Sequence, residues 1–142
     1  NVVPDSFKTD LLKGTFNFDS SGGSTFKLAL YTDISGLTTA TTAFTATNEV
    51  STSGTNYTSG GNTLTNNGVA VSSNIAYVDF ADLTFSSVTL SAVGALIYKS
   101  SSGNEAVLVL DFGGTKTATN GDFVVQFPTA NSSSAIIRLG DA

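Results

Sequence analysis

Cysteine, histidine and tryptophan are all absent from this 142-residue chain. Without cysteine there are no disulfides, thiolate metal sites or thiol nucleophiles. With histidine missing as well, Ser-His and Cys-His catalysis and the ordinary zinc sites are excluded. Charge is also scarce. Asp, Glu, Lys and Arg make up 12% of the residues, about half the usual ~25%. The six basic residues are scattered and the net charge is −5. Such a surface repels phosphate backbones, so no nucleic-acid partner is expected. No apolar run approaches the ~18 residues of a membrane helix, so no membrane partner is expected either.

Hydroxyls fill the gap: Ser and Thr account for 40 of the 142 residues. Low charge with low hydrophobicity would leave a chain disordered. Here 40% of residues are hydrophobic, with ten Phe and four Tyr, so the chain folds. Its length suits one domain, and roughly 68–70% of the unfolded surface can be buried at this size. The chain opens on Asn1 rather than Met, which implies a start that was processed or left out.

The one convincing helix is "PDSFKTDLLKG", Pro4 to Gly14. Asp5 or Ser6 can cap it, Phe7 and Leu11 share a face, and Gly14 can close it. At about two turns it cannot stand alone. It must pack on its own sheet or on a partner, and residues 1–14 read as an arm ahead of a β domain over 15–142.

After Gly14 the apolar pattern switches to period two. "TFNF" places Phe16 and Phe18 on one face, and "FKLALYT", "NTLTNNGVAV", "NIAYVDF", "LTFSSVTL", "AVGALIYKS", "EAVLVLDF", "GDFVVQFP" and "SAIIRLG" follow as strands. Asn67-Gly68 is a strong tight-turn signal. "SSGN", Ser101 to Asn104, reads as a hairpin connection. Ala95–Ile97 and Ala106–Leu110 are apolar on both faces and read as central strands. Seven to nine short strands without βαβ alternation predict a single all-β domain: an antiparallel β-sandwich, jelly-roll or immunoglobulin-like, with one short N-terminal helix.

The remaining chemistry rests on carboxylates and hydroxyls. A glycosidase would need paired carboxylates ~5 or ~6.5–9.5 Å apart. Asp79 and Asp82 are the nearest pair in sequence, and Asp111 and Asp122 sit at strand ends. All four are better read as groups that hold local backbone amides. Neither "DSSGGS" (Asp19 to Ser24) nor "NGD" (Asn120 to Asp122) has the acidic density of a calcium loop. The Gly pairs at 22–23, 60–61 and 113–114 lack the strand–loop–helix setting of a phosphate cradle and read as turns. No catalytic residue, cofactor or metal is therefore expected. The acceptor patterns at Asn56 and Asn131 read as chance.

From Thr47 to Gly68, eighteen of twenty-two residues are Ser, Thr, Asn or Gly; the exceptions are Glu49, Val50, Tyr57 and Leu64. Those anchors predict a loop packed over a sheet, presenting polar backbone to a neighbouring subunit and mobile in the isolated protein. Most Phe residues fall on strand patterns and are core. Phe44 and Tyr57 instead stand alone in polar sequence. With Phe7 and Leu11 of the helix, they form the candidate contact set for a partner, aromatics being typical interface anchors.

The ordered segments "SFKTDLLKGTFNF", "FKLALYT", "ATNEVSTSGTNYTSGGNTLTNNG", "DFADLTFSS", "GALIYKS", "AVLVLDFGG", "NGDFVVQFP" and "AIIRL" resemble a family of small virion structural proteins of tailed phages, notably phages of marine bacteria and cyanobacteria. The resemblance runs from about Phe7 to Leu139 and rests on the ordered set, since each piece is generic strand-and-turn sequence. It departs in having an extra polar residue or so before Tyr57. It implies a non-enzymatic virion component assembled in the bacterial host cytoplasm, a capsid decoration (cement) protein in first place and a tail component in second. Its partners would be the major capsid protein or neighbouring virion subunits, and its state a homo-oligomer, with a trimer favoured. Two other classes compete. A carbohydrate-binding β-sandwich module would want exposed aromatic platforms, for which Tyr31 and Tyr57 stand as candidates. A carboxylate enzyme would have to use residues such as Asp79 or Asp111.

Overall fold

Period-two alternation produces two antiparallel sheets facing one another, seen in a computed structural model that describes residues 1–141. Helix α1 (Asp5–Leu12) comes first. Strands β1 (Phe26–Tyr31), β2 (Asn62–Thr63), β3 (Asn66–Ser72), β4 (Ile75–Phe80), β5 (Leu83–Lys99), β6 (Ala106–Val125) and β7 (Ile137–Leu139) follow. One sheet has the order β2-β1-β5-β6 and the other β3-β4-β7. The expected all-β sandwich with one short helix is the architecture observed.

The core between the sheets is aromatic. Phe18 and Phe26 stack with centroids 4.7 Å apart, Phe26 meets Phe80 edge-on at 5.7 Å, and Phe80 meets Phe127 at 5.8 Å. As expected of Phe residues on strand patterns, Phe16, Phe18, Phe26, Phe80, Phe85, Phe123 and Phe127 are buried, and Phe112 is half-buried against them. A second apolar cluster lies on the other face of the four-stranded sheet, where Leu37, Phe44 and Ile34 cover Tyr31, Leu96 and Tyr98. This double cover explains why Ala95–Ile97 and Ala106–Leu110 are apolar throughout. Strand β5 is central as expected. Strand β6 is at the sheet edge, but Val2 patches it with two backbone bonds to Val109, both 2.9 Å.

Strands β5 and β6 form one hairpin far longer than the separate short strands read from the sequence. Bulges keep it continuous. Val93 alone faces Phe112–Thr115, and the positive φ of Gly113 and Gly114 absorbs the excess. Such bulges bend a ribbon and sharpen its twist. "TFNF" is not a strand, although Phe16 and Phe18 are both buried as its alternation required. Asn67-Gly68 is not a turn: it is a bulge inside β3. The β3–β4 turn is Ser73-Asn74, with φ of 52° and 63° at the two central positions, the requirement of a type I′ hairpin.

Residues 1–14, read as an arm, lie against the body of the domain. Phe7 is buried beside Phe16 at 5.1 Å between centroids. No side chain caps α1. Pro4 occupies the cap position, the Asp5 amide donates to Thr39 O at 2.9 Å, and the Ser6 hydroxyl donates to Thr41 O. The expected capping by Asp5 or Ser6 is thus replaced by backbone of the 39–41 loop. Gly14, at φ 79°, closes the helix as expected.

Candidate interaction surfaces

The polar stretch from Thr47 to Gly68 is a cover for the outer edge of β1. An uncovered strand edge is a template for unwanted pairing. Leu64 N donates to Phe26 O, and Asn62 and Thr63 pair with Leu28 and Lys27 as β2. Val50 N then donates to Leu30 O, and Thr32 N donates to Asn48 O. One position has no backbone partner, and a side chain fills it: Leu30 N donates to the Tyr57 hydroxyl at 2.9 Å. That hydroxyl donates in turn to Glu49 Oε2 at 2.8 Å. The same carboxylate accepts from Gly60 N at 2.6 Å and Ser59 Oγ at 2.8 Å.

Burial, followed by the neighbouring Glu49 carboxylate, pushes the Tyr57 phenol well above its ordinary range. The phenol therefore stays protonated and can donate. Gly61 makes the close approach possible. A Cβ there would sit 1.7 Å from Leu28 O, and its φ is +76°. The four exceptions to the polar composition are thus the anchors. Val50, Tyr57 and Leu64 are buried, and Glu49 ties the loop to itself.

Of the four candidate contact residues, Phe7 and Leu11 meet on the α1 wall of one groove, while Phe44 and Tyr57 lie elsewhere. Phe7 and Tyr57 are each buried within their own domain. Phe44 stacks on Tyr98 at 4.9 Å on the far face of the larger sheet. Of the set, Leu11 and the largely buried Phe7 line one open groove. Phe7 and Tyr57 anchor the fold because each faces a ready-made apolar site, in the Phe16–Phe18 cluster and against Phe85 respectively. As side chains for a partner to grip, both are inaccessible here. Tyr31, named as a sugar platform, is fully buried and donates to Thr45 O at 2.6 Å.

The carboxylates hold local structure. Asp82 accepts from Phe127 N at 2.8 Å, Asp111 from Gly113 N at 2.8 Å, and Asp122 from Ser87 N at 3.3 Å; Asp79 accepts from the Asn67 side chain at 2.7 Å. Among the described residues no three of Asp, Glu, His and Cys converge as a metal site would require.

Two surfaces remain. The distal half of the β5–β6 hairpin buries Phe85, Val88 and Leu90 on one side. Its other exposed positions include Thr84, Ser86, Thr89, Ser91, Thr117 and Thr119. Ser91 and Thr117 hydroxyls lie 2.8 Å apart, and Thr89 Oγ1 accepts from Asn120 N at 2.9 Å. This is a ladder of hydroxyls, with Lys116 and Asp122 as the exposed charges among them. The second surface is apolar and surrounds β7, where α1 and β7 wall a groove of about 520 Å³. Sequence reading missed it. Its signal was the alternation of Val69 with Val71 and of Ile137 with Leu139, which marks an inward face without saying how far the core beneath extends.

Compared with known protein families, curated proteins and solved structures, the chain finds no match. No helix among the described residues is long and apolar enough to cross a membrane.

Proposed function

We propose that the protein is a non-enzymatic structural component of a phage virion, a capsid decoration (cement) protein that binds the outside of the shell and stabilises it. The observation that carries this reading is the hydroxyl ladder on the long hairpin, from Thr84 to Ser91 and from Thr117 to Thr119. It offers many hydrogen-bonding groups on a rigid two-stranded ribbon, with few charges to enforce one partner geometry. Each such bond contributes only about 0.5–1.5 kcal/mol net. Many copies held on a lattice convert weak contacts into firm attachment. A homo-oligomer, a trimer on the shell, supplies that multiplicity. The whole-chain resemblance noted above supports the same role, as does the use of four aspartates to hold local structure. The partner is then the major capsid protein or a neighbouring subunit.

Subunit counting on purified particles tests the proposal. A copy number close to that of the major shell protein is the expected result. A number matching a single tail ring moves the protein to the tail, and absence from the particle ends the virion reading altogether.

A further inference from the structure

Five of the six large apolar side chains exposed among the described residues crowd around one short strand. They are Val3, Leu12, Val69, Val71 and Leu139, exposed by 41%, 87%, 53%, 72% and 61%. Val3, Leu12 and Leu139 line the groove between α1 and β7, whose floor is Val107 and Leu108. Val69 lines an adjoining cleft of about 280 Å³ that shares Leu11, Ile137 and Leu139 with it. Val71 reaches the same place through the register Val71–Ala76–Leu139 across the three-stranded sheet. A contiguous apolar face of this kind marks an interaction site more often than scattered exposure does.

The strand at its centre is also an open edge. The free side of β1 is closed by the polar loop and β6 is patched at Val109 by Val2, while β3, bulged only at Asn67-Gly68, is an open edge away from the groove. Strand β7 ends its sheet, and no backbone bond from the other described residues reaches its free side. A strand meant only to be protected would not be ringed by five bare apolar side chains.

We infer that this face docks an extended segment of a partner protein, which adds as a fourth strand along β7 and places an acidic side chain beside Arg138 between two apolar ones. Strand addition supplies main-chain bonds, and pockets for alternate side chains supply selectivity. An added strand shares the alternation of β7. Its inward residues enter the groove beside Ile137 and Leu139, and the residue between them lies next to Arg138. Arg138 is fixed at the rim by its bond from Nη1 to Ser133 O at 2.6 Å. Lys8, paired with Asp5 at 2.9 Å, stands on the opposite wall. Lys8 is offset by Asp5, so Arg138 is the base at this groove that has no carboxylate partner among the described residues.

The same charge disfavours a second copy. Two-fold pairing centred on β7 would set Arg138 directly opposite itself, and like charges so placed are destabilising. The inference goes beyond the virion reading and holds wherever the protein resides.

The test uses the full protein and a short synthetic peptide alternating Val and Glu, N-methylated along one edge so that it pairs on one side only. Fluorescence anisotropy should show this peptide binding about tenfold or more tightly than its Val–Lys counterpart, a difference of about 1.4 kcal/mol. Arg138→Glu should reverse the order, and Leu139→Ser, at an already exposed position, should weaken both. Methylating both edges should abolish binding. Equal affinity for the two peptides, binding of neither, or an unchanged order in Arg138→Glu overturns the inference. So does a wild-type dimer in sedimentation that Leu139→Ser dissolves, which would make the occupant a second copy. Uptake of a small apolar dye by a protein that ignores both peptides would likewise overturn it, in favour of a small-molecule groove.

Discussion

Removing one oxygen atom from Tyr57 separates its hydrogen bonding from its packing. In Tyr57→Phe the ring still lies against Phe85, 5.8 Å away, but Leu30 N loses its acceptor and Glu49 loses a donor. A buried donor left unpaired costs about 1–3 kcal/mol. The unfolding free energy should fall by that amount, read as a lower urea midpoint with the slope unchanged, since the folded surface is the same; an unchanged midpoint would mean that water replaces the hydroxyl. Tyr57 also belongs to a set. Burial is the first cause raising the phenols of Tyr31, Tyr57 and Tyr98 above their ordinary value, with Glu49 adding to each. An unfolded tyrosine ionises near pH 10. Their contribution to stability is therefore intact below about pH 10 and is lost as pH rises from there toward the folded values. The loss is about 1.4 kcal/mol per pH unit for each tyrosine ionised only in the unfolded chain. In a Tyr77→Phe background, which leaves only these three tyrosines, tyrosinate absorbance should appear together with the loss of far-UV dichroism. Ionisation of all three in a protein that keeps its β signal would remove the argument.

At the scale of elements, alternation was legible and punctuation was not. The residues of β1, β4, β5 and β6 could be read from apolar spacing because at least one face of each is covered. Their lengths could not, since bulges such as Phe112–Thr115 insert residues without ending the pairing. The Asn67-Gly68 pair has the chemistry of a turn, yet Gly68 uses its φ of 96° to form a bulge. The turn falls instead on Ser73-Asn74, two residues that tolerate positive φ less well than glycine does. That mismatch is testable. Ser73→Asn with Asn74→Gly puts the preferred type I′ pair where both central φ values are already positive, and the variant should gain about 0.5–1 kcal/mol in thermal or urea unfolding. A loss would mean that the Ser73 or Asn74 side chain makes a contact that matters more than backbone strain.

For the whole molecule, the question is whether residues 1–14 form a separable arm. The sequence suggested one because a short helix with two apolar residues on one face shows no partner within its own segment. The partner lies far along the chain, and single-sequence periodicity does not report such distant pairing. Val2 bonds to Val109, Pro4 is fully buried, and Phe7 fills the space beside Phe16 and Phe18. The apolar face at β7 was hidden for the same reason: α1, β3, β4 and β7 meet there only after folding. Deleting residues 1–14 therefore removes a core aromatic and uncovers the β6 edge together. Loss of Phe7 alone, as Phe7→Ala, should cost about 3–5 kcal/mol, a large share of the ~5–15 kcal/mol that holds a domain of this kind. The fragment 15–142 should unfold at much lower urea than the full chain, bind hydrophobic dyes, and associate as its concentration rises, because the β6 edge is open at Val109. Phe7→Ala in the full chain should show the stability loss without the association, since Val2 still covers that edge. If 15–142 instead melts where the full chain does and stays monodisperse, the N-terminal segment is a detachable arm after all, and its docking on β6 contributes little to the fold.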